Sequence, residues 1–285
     1  MSDSPVRAML HPSADMPLFG RRVLVTAPRT YAPRFAAAIL AQGGLPILMP
    51  TIEITLLDDY AALDACLRQC ASFDWIAFTS RNGIEALLHR CEQLGLPPTA
   101  LNASRLAAIG KDAERLAELG LRVDLIPQEP SPRGIVAGLA AIAAGSAATI
   151  LVPAPVVEGA PEPDVMPTFV ADLQRLGMQV TRVPAYRTRI LDKARYEPEL
   201  ALIRQGAIDA IAFSSSAEIT SFLAMVNHPQ DYDRCAICCF GPYTAAYARR
   251  VGLPPAVVAE DFSSFDGFAA AIARHFTGAK PAYPG

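Results

Sequence analysis

Small hydroxyl residues, glycines and cations gather where short apolar runs give way to helical patterns. After the run ending at Phe78 come Thr79, Ser80, Arg81 and Asn82, and after Phe213 come Ser214, Ser215 and Ser216. Ile109 is followed by Gly110 and Lys111, and Phe240 by Gly241, Pro242, Tyr243 and Thr244. Ser, Thr and Asn are preferred helix caps and Pro suits the first helical turn, so each turn has a purely structural explanation. Jointly they offer more. A helix N-terminus presents free N–H groups and a partial positive charge, and so can hold a carboxylate or phosphate. Arg29, Arg81, Lys111 and Arg133 lie at comparable positions and could make a locally positive cleft. Tyr186, in Val183-Pro184-Ala185-Tyr186-Arg187-Thr188, falls at the end of another apolar run. It stands out as a polar aromatic, and its plain reading is a half-buried interface tyrosine.

Other chemistries lack their residues. There is no GxGxxG dinucleotide turn, no P-loop and no GxSxG nucleophile elbow. The four histidines, at 11, 89, 228 and 275, are scattered, and none pairs with Cys or Asp at motif spacing. Cys235-Ala236-Ile237-Cys238-Cys239 has the look of a metal-ligand pair, but no second CxxC and no nearby histidine complete it. No metal is therefore expected, and the six cysteines read as reduced, core or half-buried thiols. Lys plus Arg number 25 against 28 Asp plus Glu, a net charge of −3. That balance argues against nucleic-acid binding and against long-range steering of an anion, so any acidic ligand must be recognised locally.

These turns must be positioned by a scaffold, and the chain of 285 residues carries an internal repeat that supplies one. The segment Phe73–Asn82 matches Ile208–Ala217, with Phe78 and Phe213 separated by 135 positions. Ala108-Ile109-Gly110 matches Cys239-Phe240-Gly241, Gly120-Leu121 matches Gly252-Leu253, and Val23–Pro28 matches Ile150–Pro155, in the same order. Each half alternates strand and helix. The expected strands are 22–26, 46–55, 74–78, 105–109 and 122–126, then 149–153, 179–187, 209–213, 236–240 and 256–259. Runs such as WIAF and AIAF suit burial on both faces, and alternation with short connections implies parallel sheets covered by helices. The fold class is α/β, and five strands per half suit a flavodoxin-like winding, whose ligands bind at the carboxyl ends of the strands. Residues 134–157 carry no charge and are long enough to span a bilayer. Gly145-Ser146 and the prolines at 153 and 155 divide them into a buried helix and a strand instead, so no membrane segment is expected. Residues 1–19 lack the apolar region of a signal peptide and read as a flexible tail, which points to a cytoplasmic protein.

The segments Phe78–Gly83, Ala108–Gly110, Val183–Thr188, Phe213–Ser215 and Phe240–Ala245, in this order and spacing, resemble the uroporphyrinogen-III synthase family along nearly the whole chain after residue 20. The stretches VPAPVVEGAPEPDVMP and LGMQVTRVPAY look like its cyanobacterial members. The resemblance implies two flavodoxin-like domains with parallel sheets, joined by a two-stranded connector, with the cleft between them as active site. It divides the chain into 20–51 with 190–279, and an inserted domain at 52–189. It implies a lyase of tetrapyrrole biosynthesis. Its substrate is hydroxymethylbilane, a linear tetrapyrrole with eight carboxylates, closed with loss of water and inversion of ring D through a spirocyclic pyrrolenine.

No cofactor is implied, a monomer is expected, and the upstream hydroxymethylbilane synthase is a candidate partner. Tyr186 maps onto the family's tyrosine and becomes the candidate general acid. Ser80, Ser215 and Thr244 map onto hydroxyls assigned to carboxylate binding, with Thr79, Asn82, Gly110, Lys111, Ser214, Gly241, Tyr243 and Arg29 beside them. Three positions depart from the family pattern: Ala27 before Pro28, Asp112-Ala113 after the Gly110 turn, and Ala154. A different class of function on the same scaffold would be a non-catalytic two-domain module that binds or senses an anionic ligand.

Overall fold

The computed structural model describes residues 16–143, 147–159 and 161–277. In chain order the strands are β1 (Arg22–Val25), β2 (Leu45–Leu48), β3 (Ile52–Thr55), β4 (Trp75–Phe78), β5 (Arg105–Ala108), β6 (Val123–Leu125), β7 (Thr149–Glu158), β8 (Gln179–Ile190), β9 (Ala210–Phe213), β10 (Ala236–Cys239) and β11 (Val257–Val258). The α-helices are α1 (Ala32–Ala41), α2 (Ala61–Arg68), α3 (Arg81–Gln93), α4 (Lys111–Glu118), α5 (Pro132–Ala143), α6 (Val165–Arg175), α7 (Glu197–Arg204), α8 (Ser216–Met225), α9 (Pro242–Arg250) and α10 (Phe265–Phe276). The chain forms two compact units, one running to Glu53 and resuming at Ile190, the other Ile54–Arg189. It passes from one to the other within β3 and again at the end of β8, and these two strands are neighbours in one sheet.

The discontinuous unit holds a sheet of order β11-β10-β9-β1-β2. Its described strand pairs are parallel. Counted within the unit this is the order 5-4-3-1-2, the flavodoxin-like winding, whose switch point lies between β1 and β9. Residues alternate faces along each strand. Val23 and Val25 therefore pack with Phe35 of α1 and Phe268 of α10, while Leu24 faces Ile211, Phe213 and Phe222 in the core on the other side. Phe35 lies 5.0 Å from the Phe265 ring and 4.9 Å from that of Phe268, stacked on both.

The continuous unit holds the order β3-β8-β7-β4-β5-β6. β7 and β8 occupy the places that β1 and β2 hold in the other sheet, although they come last in the unit's sequence. Trp75 and Ala77 face α5 and α6, with Phe169; Ile76 and Phe78 face the core with Ile84, Leu87 and Leu116. Burial on both faces explains why these strands read as unbroken apolar runs.

Three expectations change. The strand expected over 46–55 is two strands: Met49 and Thr51 still donate to the Val25 and Thr26 carbonyls at 3.0 and 3.1 Å, and from Ile52 the chain belongs to the other sheet. The strands expected at 149–153 and 179–187 run on to Glu158 and Ile190 as a paired ribbon. The tail expected over 1–19 is fixed from Met16 on: Leu18 is fully buried against Phe35 and its N–H donates to the Gln42 carbonyl at 2.9 Å. Residues 1–15 of that tail, the Gly145-Ser146 break and positions 278–279 lie outside the described residues. No described helix is long and apolar enough to cross a membrane.

Candidate functional site

At the carboxyl edge of the continuous unit, Ser80 leaves β4 in extended geometry and caps α3, its hydroxyl accepting from the Gly83 N–H at 3.4 Å. The same hydroxyl lies 3.2 Å from the phenolic oxygen of Tyr186. A bulge in β8 makes this contact. Ala154 of β7 pairs with Pro184 and the next residue, Pro155, with Tyr186, so Ala185 is the extra residue. Pro184 cannot donate to a ladder, which makes this a natural place for an irregularity. Strict alternation would turn Tyr186 away from the face that holds Val183 and Ala185. With the bulge all three join one core, and the tyrosine is almost wholly buried.

Around this pair, the Thr79 hydroxyl contacts the Met166 sulfur at 3.5 Å. Asn82 stands in the first turn of α3. Gly110 takes φ +50° ahead of α4, a conformation that asks for glycine. The Arg81 guanidinium donates to Asp112 at 2.8 Å, so the acid that departs from the family pattern is matched by a cation at the start of the neighbouring helix. Burial pushes the Asp112 carboxyl up, against the pull of Arg81. Arg81 is thus bound to Asp112 and is not the free cation expected from its position. Ala154 is buried in the core that holds Trp75 and Phe169, where a charged side chain would be costly. Lys111 opens α4, and its side chain lies outside the described residues.

At the carboxyl edge of the discontinuous unit, Ser215 caps α8 and Gly241 caps α9 with Pro242 following it. A Cβ on Gly241 would come to 3.0 Å from the Phe262 side chain, a tight approach that favours glycine. The Thr244 hydroxyl, buried, donates to the Ser214 carbonyl at 3.5 Å. Tyr243 is half-buried in the first turn of α9 and Arg29 is exposed after β1.

The residue that organises this edge is Glu218, 1 % exposed. Its Oε2 accepts from the Ser214 backbone N–H and from Thr26 Oγ1, both at 2.8 Å. Its Oε1 accepts from the hydroxyls of Ser214 and, at 3.0 Å, Ser215. Burial drives its carboxyl above the usual range, opposed by these hydrogen bonds from Ser214, Thr26 and Ser215. Thr51 adds a contact to the Glu218 carbonyl at 3.3 Å, and Ser221 donates to the Thr51 carbonyl at 2.6 Å.

Sequence reasoning passed over Glu218. The signal was Ser215-Ser216-Ala217-Glu218, the S-x-x-E pattern of a capping box. Here the glutamate reaches one residue further back than the cap, to Ser214. The cysteines pack into the cores: burial pushes Cys235 and Cys239 up to about 12 and Cys91 to about 11. Among the described residues no three His, Cys, Asp or Glu side chains come together as a metal would need.

Comparison with known proteins gives one answer at the level of family. The family model described as uroporphyrinogen-III synthase HemD matches residues 33–269. The chain is 29 % identical over 266 residues to the uroporphyrinogen-III synthase of Synechococcus elongatus, covering 91 % of this chain and 97 % of that protein. It is 24 % identical over 238 residues to the porphyrin biosynthesis protein HemD of Ruminiclostridium josui, covering 83 % of this chain and 45 % of that longer protein. Among solved structures, a mutant uroporphyrinogen III synthase of Thermus thermophilus shares the fold, with a TM-score of 0.65 and 21 % identity over 89 % of this chain and 99 % of that one. With the family model covering most of the chain and the turns at Ser80, Gly110, Ser215 and Gly241, the chain belongs to the uroporphyrinogen-III synthase family.

Proposed function

We propose that this chain is a cyclising hydro-lyase that converts hydroxymethylbilane into uroporphyrinogen III, with Tyr186 as general acid. Family membership supports the reaction. The observation that carries the residue assignment is the Tyr186 hydroxyl, drawn by the β8 bulge to 3.2 Å from Ser80 at the carboxyl edge of its sheet. A phenol has a reference pKa of about 10 and is protonated at neutral pH. It can give its proton to the departing hydroxyl of the bilane, whose pyrrole nitrogen pushes the water out, and its ring can then face the azafulvene cation. The reaction loses one water and changes no oxidation state, so acid–base groups and positioning suffice for it. The helix N-termini at Ser80, Gly110, Ser215 and Gly241 are candidates for holding the substrate's carboxylates. Each dipole contributes roughly 0.3–1 kcal/mol, so several must act together. We place the enzyme in the cytoplasm as a monomer, taking its substrate from hydroxymethylbilane synthase. Incubating the protein with hydroxymethylbilane and separating the type I and type III products tests this. Type III in excess of the spontaneous type I product is the expected result, and type I alone at the uncatalysed rate rejects it.

A further inference from the structure

The two helix starts nearest Tyr186 are tied to each other by charge. β4 and β5 are neighbours, with Phe78 opposite Ala108, so α3 and α4 leave one sheet edge side by side. Ile84 and Leu87 of α3 share a core with Ala113 and Leu116 of α4. Arg81 stands in the first turn of α3, where a cation opposes the helix dipole. Its Nε donates to Asp112 Oδ1 in the first turn of α4 at 2.8 Å, and the Asp112 side chain is 17 % exposed against 38 % for Arg81. An acid in that place offsets both the guanidinium and the positive end of its own helix. Further along, Arg115 of α4 donates to Glu85 of α3 at 3.4 Å, so a second charge pair joins the same two helices. Ser80, the residue before Arg81, is held less firmly by its own helix. Its cap bond from the Gly83 N–H is 3.4 Å long, where about 2.9–3.0 Å is usual.

We propose that Asp112 is a positioning residue for Tyr186: by gripping Arg81 it fixes the first turn of α3 and keeps the Ser80 hydroxyl at its 3.2 Å contact with the phenol. The inference rests on the reading of Tyr186 as general acid. Ser80 and Arg81 share a peptide bond, so a guanidinium anchored on the neighbouring helix leaves Ser80 little freedom to rotate away. The same pairing explains how an acid is tolerated in a turn that is a candidate for substrate carboxylates. Asp112 alone would repel them. With Arg81 against it the charge is offset, and the N–H groups of the Gly110 turn keep their use. A misplaced proton donor costs rate and not affinity, because the proton moves only in the transition state.

The test uses the full-length protein labelled with 13C at the tyrosine Cζ, whose resonance follows the hydrogen bonding of the phenol. The Tyr186 signal is assigned by its loss in Tyr186→Phe. In Asp112→Ala it moves toward the position it takes in Ser80→Ala, and in Asp112→Glu, which keeps the charge, it returns toward that of the wild type. With hydroxymethylbilane, Asp112→Ala lowers kcat roughly two- to fivefold, the size of a partly exposed ion pair, and leaves KM unchanged. In a Tyr186→Phe background the same substitution has no further effect on kcat. Thermal melts check folding, and Asp112→Asn, which keeps the volume and loses the charge, gives changes in the same directions. The proposal is overturned if the Tyr186 signal is the same in wild type and Asp112→Ala, or if the loss in kcat is undiminished in the Tyr186→Phe background. A wild type that makes no type III product fails the proposed reaction itself, and the Tyr186 signal then still decides whether Asp112 holds the contact.

Discussion

The 3.2 Å contact between Tyr186 and Ser80 puts a proton donor next to a partner that can replace its proton. General acid assistance is typically worth about 10²–10⁴-fold, and an electron-rich pyrrole already assists the loss of its hydroxyl. Tyr186→Phe is therefore expected to slow type III formation within that range without abolishing it. Initial rates with the isomer ratio measure this, and a folded variant at full speed removes the phenol from the mechanism. Glu218 makes a second prediction at this scale. Burial raises its pKa, so the folded chain holds the proton more tightly than the unfolded chain does. Its stabilising share is complete below the carboxyl's usual value and declines as pH rises through the raised one. Glu218→Gln keeps a neutral group at all pH values, so its melting temperature should gain on that of the wild type as pH is raised from 4 to 8. A constant difference across that range would mean that the carboxyl does not titrate with folding. Tyr186 was legible from its place in the chain and from family likeness. Glu218 was not: it lies three residues past a cap, where an acid usually means only a closed first turn.

The bulge at Ala185 decides which side of β8 presents the tyrosine. Removing Ala185 leaves Tyr186 opposite Pro155 and, by plain alternation, on the face of Val183, so the phenol stays near Ser80. The deletion should therefore keep more of the rate than Tyr186→Phe does, with a cooperative thermal melt. A folded deletion variant as slow as Tyr186→Phe would show that the bulge sets more than the face of the phenol. Strand existence and type were readable from short apolar runs, because parallel strands covered on both faces leave that trace. Strand ends were not. Pro50 lies where one expected strand passes between two sheets, and Pro184 sits inside another. A proline withholds one N–H, but does not say whether the chain turns away, bulges or goes on in its ladder.

Each sheet mixes strands from both halves of the repeat: β1 and β2 join β9, β10 and β11, while β7 and β8 join β4, β5 and β6, with β3 at that sheet's edge. The repeat disclosed two similar halves, and only the family likeness disclosed that the halves are exchanged, since periodicity carries no record of which strand pairs with which. The exchange makes unequal pieces of the chain behave differently. Trp75, the single tryptophan, is 1 % exposed and pairs with Ile150 of β7. The piece 54–189 contains all the neighbours of that strand and should fold alone, with blue-shifted tryptophan emission and a cooperative melt. The piece 1–146 is a complete half of the repeat, yet lacks β7 and should show the red-shifted emission of a solvated indole. Blue-shifted emission from 1–146 would overturn the idea that the halves depend on one another. On the ribosome the same connectivity becomes a matter of time. Val23 of β1 must wait for Ala210 of β9. At about 5–20 residues per second that interval is roughly ten to forty seconds. The second unit can close as soon as β8 has emerged, while β1 and β2 stay half-built from the opening of synthesis until almost its end. The first strands made are thus among the last to find their places, and the nascent chain must keep their apolar edge out of other company meanwhile.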